Sequence, residues 1–145
     1  MKDRELPLIE LLKNSTGHTN PRAKDIVIEE IQFGTLTEKG FNILRDNYGF
    51  TITEIGIFLK YYLLPKNPSP EFKSRTKTAS VAAELSISEH NLRNQVSRIR
   101  ACLPVPSNWR YVEVQVMNWA VDEEIIVFDK WVARLKQSYQ KQNIP

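Results

Sequence analysis

Cysteine is almost missing from this 145-residue chain: Cys102 stands alone, so no internal disulfide can form. Histidine is nearly as scarce, and neither His18 nor His90 lies at zinc-ligand spacing from Cys102. No metal and no cofactor is expected. The five glycines are isolated from one another, which excludes a Walker loop or a dinucleotide loop. No nucleophile elbow occurs either. The acidic pair Glu29-Glu30 and the triplet Asp122-Glu123-Glu124 have no matching His or Asp elsewhere and are expected to be solvated helix ends. The chain is therefore not expected to be an enzyme.

Long apolar runs are also lacking. The longest spans four residues, as in Ile125 to Phe128, against the roughly 18 to 20 that cross a bilayer. No membrane span is expected. The opening MKDRELPLIELLKNSTGH has charges on both sides of a short apolar patch and no small-residue cleavage site. A mature cytoplasmic protein is the expectation, and the sequon Asn14-Ser15-Thr16 is a match of letters only.

What the chain does hold is 41% apolar residues, with 3 Trp, 5 Tyr and 6 Phe, enough to bury the core of one compact domain with at most a small appendage. The net charge of +3 is small, but it is unevenly spread. Residues 1–59 carry 7 basic and 9 acidic groups, residues 60–110 carry 9 and 3, and residues 111–145 carry 4 and 5. All the positive excess is in the middle block. A basic module between slightly acidic ends suits a phosphate-facing surface, with a solvated charged face as the plain alternative.

Along the chain, residues 5–13 read as a short helix with Pro7 in its first turn, and residues 22–33 suit a helix or a strand about equally. Thr37-Glu38 opens a helix with Phe41, Ile43, Leu44 and Tyr48 inward and Gly49 at its C-terminal cap. A second helix starts at Thr51 or Thr53 and runs to Pro65. The segment 65–77, with three prolines and four basic residues, reads as an exposed basic loop. Residues 109–117 obey both periodicities and lean to helix. Residues 122–141 predict a helix with Asp122, Glu123 and Glu124 in its first turn and Ile125, Phe128, Val132, Leu135 and Tyr139 on one stripe.

Residue types and spacing agree on one device in residues 78–103. Val81, Ala82 and Leu85 form the inner side of a short helix, Ile87 fills a turn, and Ser88 caps a second helix whose Leu92, Val96 and Ile99 face inward. This is the pattern of a helix-turn-helix. The free side of the second helix then holds His90, Asn94 and Ser97, flanked by Asn91 and Arg98 on one side and Arg93 on the other. Arg can pair with guanine and Asn with adenine in a major groove, so Asn91, Arg93, Asn94 and Arg98 are expected to carry specificity, and Ser88 near the helix start can hold a phosphate. Lys73, Arg75, Lys77 and Arg100 would add non-specific phosphate attraction. Double-stranded DNA is the expected partner.

The stretch SVAAELSISEHNLRNQVSRIRACL resembles the helix-turn-helix of the LuxR-type and response-regulator output family, with Ser86 at the family's turn glycine. LTEKGFNIL (Leu36 to Leu44) is similar to the helix upstream of the motif in that family, here with a long insertion after it and no sensor domain in front. LRDNYGFTITEIGIFL (Leu44 to Leu59) is similar to the first part of a sigma-factor region-four fold, and a helical pair accounts for it equally.

The expected fold is mainly α. Its parts are an N-terminal helical part (1–64), the basic linker loop (65–77), the helix-turn-helix (78–104) and a C-terminal segment (107–145) for packing or dimerisation. The expected function is transcription regulation of a bacterial, plasmid or phage type, by a homodimer that inserts helix 88–100 in the major groove. A non-enzymatic helical protein–protein interaction module, using its Trp residues and basic surface, is the alternative. The aromatic residues Trp109, Trp119, Phe128 and Trp131 are expected in the core or a subunit interface, and Cys102 as a small buried residue.

Overall fold

Eight helices account for most of the residues described by a computed structural model, which are 5–14, 19–63, 77–105 and 112–143, with side chains at 8–14, 19–63, 78–105 and 114–137. In order they are α1 (Glu5–Lys13), α2 (Pro21–Phe33), α3 (Glu38–Asn42), α4 (Ile52–Phe58), α5 (Lys77–Leu85), α6 (Glu89–Cys102), α7 (Val112–Asp122) and α8 (Phe128–Asn143). Two of them continue in π-wound turns, α3 through Ile43–Asn47 and α4 through Leu59–Leu63. No strand occurs among the described residues.

The caps explain why ambiguous segments become helices. In α2 the Asn20 side chain accepts from the Ala23 N–H at 3.0 Å, Pro21 sits where its missing N–H is harmless, and Gly34 closes the end at φ +100°. These signals decide 22–33 in favour of helix. In α4, Thr51 and Glu54 form a reciprocal capping box: the Glu54 N–H donates to Thr51 Oγ1 at 3.1 Å and the Thr51 N–H to Glu54 Oε1 at 2.9 Å. Thr37 caps α3 by accepting from the Gly40 N–H at 2.7 Å.

Helices α2 and α4 form the most extensive pair, burying Ala23, Ile26, Val27 and Ile31 against Ile55, Ile57 and Phe58. Gly56 marks their closest approach, since a Cβ there would lie 2.6 Å from the Ala23 carbonyl oxygen. α1 packs on α2 through Leu8 and Leu12, and α5 and α6 close over the other side of the pair. Asn20 ties three of these elements together. Its N–H donates to Thr53 Oγ1 and its side-chain amide to the Leu85 carbonyl, both at 2.9 Å.

The connections α2–α3 and α7–α8 run antiparallel and meet in an isolated bridge between Leu36 and Ile126. Thr37 donates to the Ile125 carbonyl at 3.1 Å and Val127 to the Thr35 carbonyl at 2.9 Å. This contact revises the helix expected at 122–141. Asp122 ends α7, Glu124 takes φ +60°, and the N–H groups of Glu124 and Ile125 close the helix end on the Val121 and Ala120 carbonyls. Ile125 and Ile126 are fully buried in the connection, not on a helix stripe. The acidic triplet thus flanks the end of one helix and does not open the next.

α7 and α8 then dock on the N-terminal half. Trp119 stands edge-on to Tyr48 (5.4 Å) and Phe58 (6.3 Å), and the Trp131 indole N–H donates to the Leu63 carbonyl at 2.6 Å. Glu30, expected to be solvated, is 1% exposed and paired with Arg134 of α8, whose Nε donates to Glu30 Oε1 at 3.0 Å. The same guanidinium lies 4.7 Å from the centre of the Phe33 ring. Trp109 and Tyr139 lie outside the residues whose side chains are described.

Candidate nucleic-acid interface

The outward face of α6 is built by three local devices. The first is the turn after α5, where the N–H of Ser86 reaches the Ala83 carbonyl (3.2 Å) and that of Ile87 the Ala82 carbonyl (3.0 Å). This is a Schellman closure, and it puts Ser86 at φ +57°, in the left-handed region that glycine adopts most easily. The second is Ser88, whose hydroxyl accepts from the Asn91 N–H at 3.0 Å and starts α6. The third is the inner stripe: Leu92 and Ile99 are fully buried and Val96 is half-buried against the core.

With that stripe inside, His90, Asn91, Arg93, Asn94, Ser97 and Arg98 are all exposed, as the spacing predicts. The structure brings them onto one side of one helix. Partners four residues apart lace this surface: Arg93 with Glu89 (3.2 Å), Asn94 with His90 (3.3 Å) and Gln95 with Asn91 (2.9 Å). These are exposed contacts and contribute only tenths of a kcal/mol each, so a ligand can replace them.

Arg98 is different. Its Nε lies 3.1 Å from Glu54 Oε2, and the Glu54 side chain is only 5% exposed while that of Arg98 is 68% exposed. A carboxylate buried at the start of α4 thus anchors an arginine of α6. Between them lies a hollow of about 470 Å³ lined by Thr19, Thr51, Thr53, Glu54, Asn94, Gln95 and Arg98.

The flanking cations are placed less uniformly. Lys73 and Arg75 lie outside the described residues, and Lys77 opens α5 with its side chain outside the described set. Arg100 is half-buried and faces Tyr62, whose phenol is pushed up to about 12 by burial. It therefore stands apart from the outward face. Cys102 corrects another expectation: it is exposed at the end of α6, because it lies about a quarter turn off the stripe that runs from Leu92 through Ile99 to the buried Leu103.

Glu54 and Asn20 carry the site's geometry and were not singled out as site residues by spacing. The capping-box signature announces Glu54 as an N-terminal residue of a helix, but its tie to Arg98 is a tertiary contact with no local signal. The hydrogen bond from Asn20 to Leu85 fixes the end of α5 just before the turn. Arg22 and Lys60 reinforce it through Glu84 of α5, at 3.0 and 3.2 Å. Among the described residues no group of His, Cys, Asp and Glu could hold a metal ion, and no helix is long and apolar enough to cross a membrane. In comparisons with protein-family models, curated proteins and solved structures, nothing matches the chain.

Proposed function

We propose that α5 and α6 form a helix-turn-helix that binds double-stranded DNA, with α6 in the major groove, and that the protein regulates transcription. The observation that carries this reading is the division of α6. Leu92 and Ile99 are fully buried, while the opposite side presents amide, imidazole, hydroxyl and guanidinium groups with Glu89 as its one carboxylate. A solvated helix face typically mixes Lys and Glu. This one is rich in groups that hydrogen-bond base edges. The left-handed Ser86 supports the resemblance to the LuxR-type motif, because it adopts the backbone that the family's turn glycine would supply.

In this reading His90, Asn94 and Ser97 meet base edges, Asn91 and Arg93 stand beside them, and Ser88 holds a phosphate at the helix start. Lys73, Arg75 and Lys77 attract the backbone without specifying sequence. One such helix covers about four or five base pairs, so the working unit is a homodimer on an inverted repeat. Phe128, 51% exposed and stacked on Trp131 at 5.9 Å, is the apolar residue on α8 that supports a subunit contact. The alternative of a protein-binding module anchored by tryptophan is weakened, because Trp119 and Trp131 are engaged with Tyr48, Phe58 and Leu63 of the same chain.

The test is selection from a random duplex pool followed by salt titration of the winning sequence. Enrichment of a short motif whose affinity falls steeply with salt supports the reading. Binding that ignores both sequence and salt contradicts it.

A further inference from the structure

Arg98 stands on the flank of α6 that is turned towards α4, apart from His90 and Asn94, which point most directly outward. At about 100° per residue, the axis pointing away from the Leu92, Val96 and Ile99 stripe passes between His90 and Asn94, and Arg98 lies about 50° to one side of it. That side is the flank against α4, where the hollow lined by Thr51, Thr53 and Asn94 opens. When a helix enters a major groove, its central residues reach the base edges at the floor. Its flanks face the walls, which are phosphates.

The chemistry of the flank fits an anion with several acceptor oxygens. Glu54 holds the guanidinium through Nε at 3.1 Å, and its other oxygen is taken by the Thr51 N–H at 2.9 Å. The Nη edge of Arg98 remains for a second, bidentate partner, and the side chain as a whole is 68% exposed. Threonine hydroxyls beside it can donate as well. An arginine fixed from behind loses less freedom on binding than a loose one, which is what a buried carboxylate at this point supplies.

We infer that Arg98 is a phosphate clamp, positioned by Glu54, and that the hollow between α4 and α6 seats one backbone phosphate of the bound duplex. This rests on the DNA-binding reading of α6 and changes the role that spacing alone gave Arg98, which was to read a base. Glu54 becomes a positioning residue for DNA binding.

The test compares wild type, Arg98→Lys, Glu54→Gln and the double variant Glu54→Gln, Arg98→Ala on a duplex selected by the wild type and on a scrambled one. The double variant removes the clamp without leaving a lone buried carboxylate, and Gln at 54 keeps the capping box. It should bind both duplexes about tenfold more weakly, with the slope of log K against log salt shallower by about 0.9. Arg98→Lys should keep the salt slope of wild type, because the charge remains, and its affinity for both duplexes should fall between wild type and the double variant, because an ammonium lacks the fork that holds Glu54 and a phosphate at once. Glu54→Gln alone should lie between wild type and the double variant.

Scanning the duplex with single neutral methylphosphonates should find one position whose neutralisation weakens the wild type and is silent in the double variant. If the double variant instead relaxes selection at one base pair with an unchanged salt slope, Arg98 reads a base and the clamp is wrong. Absence of any such silent methylphosphonate position also overturns it. A wild-type protein that shifts no duplex at all overturns the DNA reading itself and the clamp with it.

Discussion

Arg134→Ala tests how α8 is held to the rest of the molecule. Glu30 is 1% exposed on α2, and Arg134 donates to both of its carboxylate oxygens. Removing the arginine leaves a carboxylate in the interior without its cation, a change that costs about 3–5 kcal/mol in buried pairs. The Arg134 side chain is 25% exposed, so water can reach the vacated space and the lower end of that range applies. Loss of the contact over the Phe33 ring adds about 0.5–1 kcal/mol. The expected cost is about 3.5–4 kcal/mol, or roughly 10–15 °C in Tm for a chain of this size.

Replacing both partners, as in Glu30→Met with Arg134→Met, should bring stability back to within about 1 kcal/mol of wild type. A packed apolar pair needs no compensation for lost hydration. Urea unfolding followed by tryptophan fluorescence reads this directly, since the Trp131 indole is bonded to Leu63 beside the docked α8. A loss below about 1 kcal/mol in Arg134→Ala, or a double variant as unstable as the single one, would refute the reasoning.

Three further outcomes follow from other contacts. Gly56→Ala should destabilise by about 3 kcal/mol in urea unfolding, because the new methyl meets the backbone of Ala23, at 2.6 Å from its oxygen, and neither helix can retreat cheaply. Ser86→Gly should stabilise by about 0.5–1 kcal/mol by removing the left-handed strain at φ +57°, seen as a higher urea midpoint with an unchanged slope. Tyr62 ionises near 12 in the folded protein and at 10.0 when unfolded, so its contribution to stability is complete below pH 10 and is lost as pH rises towards 12. Tyr62→Phe should remove a late step from the absorbance titration at alkaline pH, together with that part of the alkaline instability.

Much of the candidate face was legible because its signals are local. Ser88 as a cap and Leu92, Val96 and Ile99 as an inner stripe decide by themselves which side of α6 is free. Thr37 and Thr51 mark helix starts in the same way. The C-terminal region was harder because the apolar residues at 125, 128, 132 and 135 keep helical spacing across a break. Ile125 is apolar because it fills the core beneath the Leu36–Ile126 bridge, and Phe128 belongs to the next helix.

The burial of Glu30 and Glu54 was not legible at all. Their arginines come from distant segments, and a carboxylate whose cation lies 104 residues away carries no periodic signature. The π-wound ends of α3 and α4 have no sequence mark either, since their apolar residues satisfy ordinary helical spacing.

The most direct test of the account is duplex selection with wild type and Asn94→Ala side by side. Asn94 lies close to the outward axis of α6 and takes no part in the core, so the variant should fold and melt like wild type. The wild type should enrich a motif of about four or five base pairs per half-site, and the variant should lose its preference at one A·T pair while keeping the rest, at a cost of about 1–3 kcal/mol on the wild-type site. Identical selected motifs from the two proteins, or no enrichment by either, would contradict the assignment of α6 as a recognition helix.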